Sequence, residues 1–164
     1  MKYRLTDETK EWCGHMLHKI EYTEEWLKEQ DLDELEGGWI ESEKNLAQEG
    51  NACVSGDAHV YGNACVSGDA HVYGDANVYG NANVYGNAHV YGNACVSGNA
   101  CVYGDAHVYG DANVYGNAYV YGDACVSQGI ITSMRISTTE QWHEYQYRKA
   151  ELQKKWDKES KDED

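Results

Sequence analysis

Three histidines, His71, His89 and His107, recur at intervals of 18 residues, and the same interval leads to Cys53 on one side and Cys125 on the other. Imidazole nitrogens and thiolate sulfurs are ligands that zinc and other borderline metals accept. A tyrosine follows each histidine by two residues. The spacing therefore suggests two possible functions for these residues, metal coordination and binding through an exposed aromatic surface.

These residues belong to a hexapeptide repeat that fills residues 51–128 without an insertion. Its thirteen units read Asn or Asp, Ala, any residue, Val, Tyr or Ser, and Gly, and only the last unit ends differently, in Gln128. In an extended chain Ala and Val point to one side, whereas the third and fifth residues point to the other. Gly followed by Asn or Asp turns the chain sharply. We therefore predict a short strand and a corner in each unit, with successive turns stacked.

The repeat resembles the hexapeptide-repeat family, in which an aliphatic residue is followed four positions later by a small one, as Val54 is by Ala58. This resemblance implies a mainly β fold, a left-handed parallel β-helix with three units, or 18 residues, in each triangular coil. The Gly-Asn-Ala-x-Val-Tyr-Gly units, together with residues 37–46, are also similar to proteins common in phages and prophages.

In such a coil, residues 18 apart become neighbours at about 4.8 Å, the ordinary spacing of strands. The interior would hold only Val and Ala and would leave no room for a ligand or cofactor. A straight ladder of side chains does not converge on a tetrahedral centre, so we predict no metal site on the histidines. One corner should form an uninterrupted asparagine ladder of Asn63, Asn81, Asn99 and Asn117.

The cysteines are expected to be free thiols. Cys65 and Cys101 would share a face but lie two coils apart, too far for a disulfide. Free thiols are typical of a reducing compartment. The N-terminus also lacks the apolar core of a signal peptide, so we predict a cytoplasmic protein, in the bacterial host if it is phage-encoded.

Residues 1–50 are predicted to form an N-terminal cap of mixed α and β structure. Residues 16–22 alternate as on a strand, and Thr23 is placed to begin an acidic helix that runs to about Glu36. Ile40 and Leu46, six residues apart, suggest a degenerate first coil. A cap is expected because an open β-helix end exposes unpaired strand edges.

After the repeat, alternating apolar residues predict a closing strand over 129–137. Thr138 and Gln141 form a capping-box pattern for a C-terminal helix that occupies 138–164 together with its tail. Its apolar residues follow heptad spacing, interrupted by Lys149, which suits either packing on the rod or self-association into a dimer or trimer. The candidate oligomerisation residues are Trp142, Tyr145, Leu152 and Trp156.

The net charge of −15 is unevenly distributed. Residues 1–50 carry 14 acids and 6 bases, the repeat carries 6 Asp and no Lys or Arg, and residues 129–164 carry 8 acids and 7 bases. Direct binding to nucleic acid or to an anionic membrane needs clustered Lys and Arg, which the repeat lacks. No stretch approaches the roughly 18 apolar residues of a membrane span.

The sequence predicts a non-catalytic binding or scaffold protein that contacts a protein partner with a basic surface. One alternative is a decoy that mimics nucleic acid and inhibits a host defence enzyme. A second is an acyltransferase, the activity of many hexapeptide-repeat proteins, although the repeat has no inserted loop of the kind those enzymes carry. The candidate binding surface consists of Tyr73, Tyr91, Tyr109, His71, His89, His107, Asp57, Asp75 and Asp111.

Overall fold

The structure, a computed structural model, describes residues 1–159. The hexapeptides coil into a parallel β-solenoid of about five turns, flanked by an N-terminal cap and a C-terminal helix, which confirms the predicted fold class. Most units contribute a two-residue strand made of the third residue and the Val. The repeat strands are β4 (Cys53–Val54), β5 (His59–Val60), β6 (Cys65–Val66), β7 (His71–Val72), β8 (Asn77–Val78), β9 (Asn83–Val84), β10 (His89–Val90), β11 (Cys95–Val96), β12 (Cys101–Val102), β13 (His107–Val114), β14 (Tyr119–Val120) and β15 (Cys125–Ile131).

Strands pair with those 18 residues away, as the repeat predicts. His89 lies in parallel register with His71 on one side and His107 on the other. The three sides of the coil are therefore three columns of strands. We call the side that carries His71, His89 and His107 the histidine face; the second face carries His59 and Asn77, and the third carries Cys65, Asn83, Cys101 and Tyr119.

The core is a column of small aliphatic side chains. Every Ala and every Val at the second and fourth positions of the thirteen units is fully buried. Burial of apolar surface contributes roughly 25 cal/mol per Å², and the repeat gains this contribution at each level of the stack. The solenoid interior is therefore filled by the protein itself, and ligand binding belongs to its outer surface or its ends.

The N-terminal cap extends the second face. Strand β1 (Tyr3–Trp12) and strand β2 (His15–Tyr22) form an antiparallel hairpin, and β2 pairs with β3 (Trp39–Ile40), which runs parallel to β5. Ile40 pairs with Val60, and Leu46 forms a bridge with Val66 beyond a 3₁₀ turn at Glu43–Asn45. The degenerate first coil predicted from Ile40 and Leu46 is confirmed.

The acidic helix of the cap is shorter than predicted. Thr23 caps it as expected, with its hydroxyl accepting a hydrogen bond from the Trp26 N–H, but α1 spans only Glu24–Glu29. Asp31 adopts a positive φ of 57°, and the Leu32 N–H donates to the Leu27 carbonyl. This left-handed turn satisfies the last carbonyls of the helix and ends it, so the prediction of a helix to Glu36 was wrong.

Side chains of the cap satisfy the open edge of the first coils. The Val54 N–H donates to the Tyr22 hydroxyl oxygen at 2.7 Å, and that hydroxyl donates to the Val54 carbonyl at 2.9 Å. The Lys2 ammonium donates to the Ala52 carbonyl, and the Asn45 amide donates to the Ala64 carbonyl. These groups replace the backbone of a missing coil, which leaves no template for another chain's strand at these positions.

Replacing Tyr22 with Phe should lower the free energy of unfolding by about 1–3 kcal/mol, because the buried Val54 N–H loses the hydroxyl oxygen that accepts its hydrogen bond. The measurement is chemical denaturation followed by circular dichroism. Tyr85→Phe is the matched control, since the Tyr85 side chain is exposed on the third face; its stability should stay within about 0.5 kcal/mol of the wild type. Equal losses in the two variants would contradict the capping role of Tyr22.

The end of the solenoid differs from the predicted closing strand over 129–137. Ile131 takes an inward position beside Val114, and Ile136, in β16 (Arg135–Ile136), takes one beside Val120, whereas Ile130 is 48% exposed. The chain turns between the two strands, so this segment is a shortened last coil rather than one alternating strand. The physical reason is that both inward columns need an apolar residue, and a straight strand would fill only one.

Helix α2 (Thr139–Glu159) follows this last coil. Its start uses the predicted residues, because the Thr138 hydroxyl accepts from the Gln141 N–H. The Gln141 side chain, however, accepts from the Ser137 N–H, one residue before the predicted position. Neither helix of residues 1–159 combines the length and apolarity that crossing a membrane requires.

Candidate binding face

The histidine face holds two parallel columns of stacked rings. The imidazoles of His89 and His107 stack at 4.8 Å with an angle of 3° between their planes, and His71 lies 5.0 Å from His89 with a tilt of 32°. The predicted 18-residue register of the histidines is confirmed. Because stacked rings line up along the solenoid axis, their nitrogens form a row and do not point at a common centre.

The tyrosine column runs beside the histidines. Tyr91 stacks on Tyr73 at 4.9 Å and on Tyr109 at 5.0 Å. Two imidazoles also contact a tyrosine of the preceding coil: His89 contacts Tyr73, and His107 contacts Tyr91. In both pairs the ring centroids are 6.2 Å apart and the ring planes are nearly perpendicular. Aromatic pairs in these geometries contribute about 0.5–1.5 kcal/mol beyond their buried area. The two columns thus form one rigid, half-buried aromatic surface.

Charge is distributed unevenly around the coil. One corner beside the histidine face carries the predicted Asp57, Asp75 and Asp111, and the other carries Asp69, Asp105 and Asp123, all exposed. All six aspartates of the repeat therefore flank this one face. The sequence analysis did not identify the row formed by Asp69, Asp105 and Asp123, although these residues are also separated by multiples of 18.

The third corner is uncharged. The Asn63 amide donates to Asn81 at 3.1 Å, Asn81 donates to Asn99 at 3.1 Å, and Asn99 donates to Asn117 at 3.2 Å. The predicted asparagine ladder is confirmed. This corner separates the second and third faces, so the acidic character of the solenoid is confined to the two edges of the histidine face.

Two histidines of this face, His71 and His89, favour the neutral form. Burial lowers the pKa of His71, and burial together with the neighbouring His71 and His107 lowers the pKa of His89. Around His71 and His89 the face is thus an aromatic strip that disfavours positive charge, between two rows of carboxylates. Such a surface favours a cationic or amphipathic ligand.

Cys53, at one end of the histidine column, is a poor candidate for a metal ligand. Cys53 is buried, and burial raises the pKa of its thiol to about 11, which disfavours the thiolate that a metal would need. Among residues 1–159, no three His, Cys, Asp or Glu side chains are grouped to hold a metal ion. The six cysteines, all within this part of the chain, are unpaired.

A groove of about 440 Å³ lies where the N-terminal cap meets the histidine face. Its cap side is formed by Trp26, Leu32 and Leu35, and its solenoid side includes Cys53, Ser55, His71 and Tyr73. We call it the cap groove. The sequence did not predict it, because it depends on how the segment after α1 folds back against the first coils.

The candidate oligomerisation residues divide into two pairs. Trp142 is 2% exposed and packs against Gly129, and Tyr145 stacks on Trp142 at 5.7 Å, half-buried. Trp142 is thus packed within its own chain, and the role of the four residues in oligomerisation stays a prediction. Leu152 and Trp156 are 69% and 71% exposed.

The parallel coils and the hexapeptide pattern together define a β-solenoid repeat protein. A family model described as the YdcK β-solenoid repeat matches residues 58–74, about one coil. No curated protein matches the chain.

Proposed function

We propose that this protein is a non-catalytic binding or scaffold protein whose histidine face contacts a basic protein surface. The single observation that carries the proposal is the placement of all six repeat aspartates along the two edges of one aromatic strip. The repeat contains no Lys or Arg to neutralise them. Tyrosine also supplies a large contact area at low entropic cost. We also propose a phage or prophage origin, from the resemblance of the Gly-Asn-Ala-x-Val-Tyr-Gly units to proteins common in phages and prophages.

A decoy that mimics nucleic acid is a second candidate, favoured by the same two rows of aspartates. The spacing of the carboxylates argues against this candidate function. Five coils span roughly 24 Å at 4.8 Å per coil, so six carboxylates give about one charge per 4 Å, against one per 1.7 Å in duplex DNA. A decoy would need the acidic residues of the cap to complete the pattern.

The role of the histidine face can be tested with two variants, each of which carries three Tyr→Ser substitutions. The histidine-face variant carries serine in place of Tyr73, Tyr91 and Tyr109. The third-face variant carries serine in place of the stacked column of Tyr85, Tyr103 and Tyr121. Serine already occupies this position in several units, including Ser55 and Ser97, so both variants should fold. Each bait and the wild type are used to capture proteins from a bacterial lysate, quantified by mass spectrometry.

We expect a set of basic proteins that the wild type and the third-face variant retain and the histidine-face variant loses by at least about tenfold. Retention should weaken as salt is raised, because screening reduces attraction to the aspartates. Nucleases or other nucleic-acid-binding enzymes in the lost set would favour the decoy. Identical capture by all three baits would refute a role for the histidine face.

A further inference from the structure

The second half of helix α2 is exposed to solvent. All twelve residues from Tyr147 to Lys158 are exposed, whereas the first turns of the helix are held by Trp142. Isolated helices shorter than about 12–15 residues are marginal in water. Local pairs such as Glu144 with Arg148 add only about 0.2–0.5 kcal/mol each. A contact with another molecule would stabilise this segment.

The exposed segment is apolar on one side and cationic. Leu152 and Trp156 lie four residues apart and so share one side of the helix, with Arg148 one turn before them. Residues 147–158 contain five basic residues (Arg148, Lys149, Lys154, Lys155 and Lys158) and two acidic ones (Glu151 and Asp157), which leaves a net charge of +3.

The cap groove has the opposite character. Its apolar walls include Leu32, which is 41% exposed. The segment that forms its cap side carries Asp31, Asp33 and Glu34, and the solenoid beside it carries Asp69. An apolar groove with an acidic rim fits a helix that presents Leu and Trp between basic residues.

We propose that the exposed half of α2 docks into the cap groove of a second copy of this chain. The groove lies at the N-terminal end of the solenoid, and α2 leaves the C-terminal end. Docking therefore joins unlike surfaces head to tail, which gives an open chain or a ring rather than a two-fold dimer. The groove borders the proposed binding face, since His71 and Tyr73 belong to both, but the contact goes beyond that face because Leu32, Leu152 and Trp156 lie outside its aromatic columns.

The first test is the mass in solution, measured by sedimentation over about a hundredfold range of protein concentration. The wild type should increase in mass with concentration. Leu152→Ala combined with Trp156→Ala (the helix variant) and Leu32→Asp (the groove variant) should each weaken association by at least about tenfold. Met16→Asp is the control, because Met16 is equally apolar and exposed but lies on the N-terminal hairpin.

The decisive test mixes the two variants. A helix variant keeps its groove and a groove variant keeps its helix, so an equimolar mixture retains one working contact and should form dimers that grow no further. Circular dichroism of each variant checks that it is folded. A wild type that stays monomeric, a groove variant that associates like the wild type, or a mixture without dimers would each overturn the proposal.

The variants used here leave the tyrosines and histidines of the histidine face unchanged, so the two proposals can fail separately, although His71 and Tyr73 also line the cap groove. If head-to-tail docking fails while the tyrosine variants lose their partners, only the docking proposal is wrong. If docking holds and the tyrosine variants behave like the wild type, only the proposed function is wrong.

Discussion

Replacing Gly98 with Ala should lower the free energy of unfolding by roughly 3–5 kcal/mol, through a left-handed backbone and a backbone clash. Gly98 has a φ of +66° at a corner of the solenoid. A Cβ added there would lie 2.8 Å from the Gly116 nitrogen and 3.1 Å from the Gly116 carbonyl oxygen. Both contacts are with the backbone of the next coil, which cannot move without separating the strands.

Gly14 provides the matched control for this prediction. It also has a positive φ, of +82°, but a Cβ there would meet nothing within 4 Å. Gly14→Ala should therefore cost only the conformational penalty, roughly 1–2 kcal/mol. Denaturant titration of both variants measures the difference, and a Gly98→Ala loss no larger than that of Gly14→Ala would show that the coils can separate without cost.

The second large effect concerns acid stability and His59. This imidazole is buried and stacks on Trp12 at 4.1 Å, and neither ring nitrogen has a hydrogen-bond partner among residues 1–159. Burial, reinforced by the nearby Lys10, lowers the pKa of His59 to about 4, although Asp57, the Asn77 side chain and Asp75 oppose this shift. Protonation would place a buried charge between the hairpin and the solenoid.

The direction of the pH effect follows from this lowered pKa. Between pH 4 and the unfolded value of about 6.5, the unfolded chain binds a proton at His59 that the folded chain does not. Stability from this group is therefore complete above about pH 6.5, falls as the pH drops toward 4, and changes no further below that. The loss is at most about 3 kcal/mol, since one pKa unit corresponds to about 1.4 kcal/mol.

His59→Phe should remove this step while it keeps the stack on Trp12. The free energy of unfolding, measured by denaturant titration at several pH values, should exceed that of the wild type increasingly from pH 6.5 to 4. His143→Phe, at an exposed position on α2, should follow the wild-type profile. A His59→Phe variant that loses stability in acid as steeply as the wild type would contradict this role for His59.

Much of the candidate binding face could be predicted from the sequence. The 18-residue interval placed His71, His89 and His107 in one column with their tyrosines, and the structure stacks them as expected. The second aspartate row, of which Asp69 is one member, follows from the same interval but was not recognised. The cap groove could not be predicted from the sequence, because Leu35 and Tyr73 line the same groove only through the fold of the segment after α1.

The sequence by itself determined the solenoid. Each unit carries its own strand, corner and inward Val and Ala, so local chemistry repeated thirteen times specifies a stack of coils. The tertiary structure alone decided the ends, where Tyr22 replaces a missing strand, Ile131 and Ile136 share the last coil, and Trp142 is buried. These contacts join non-repeating segments far apart in the chain, and no periodicity relates such residues to their partners.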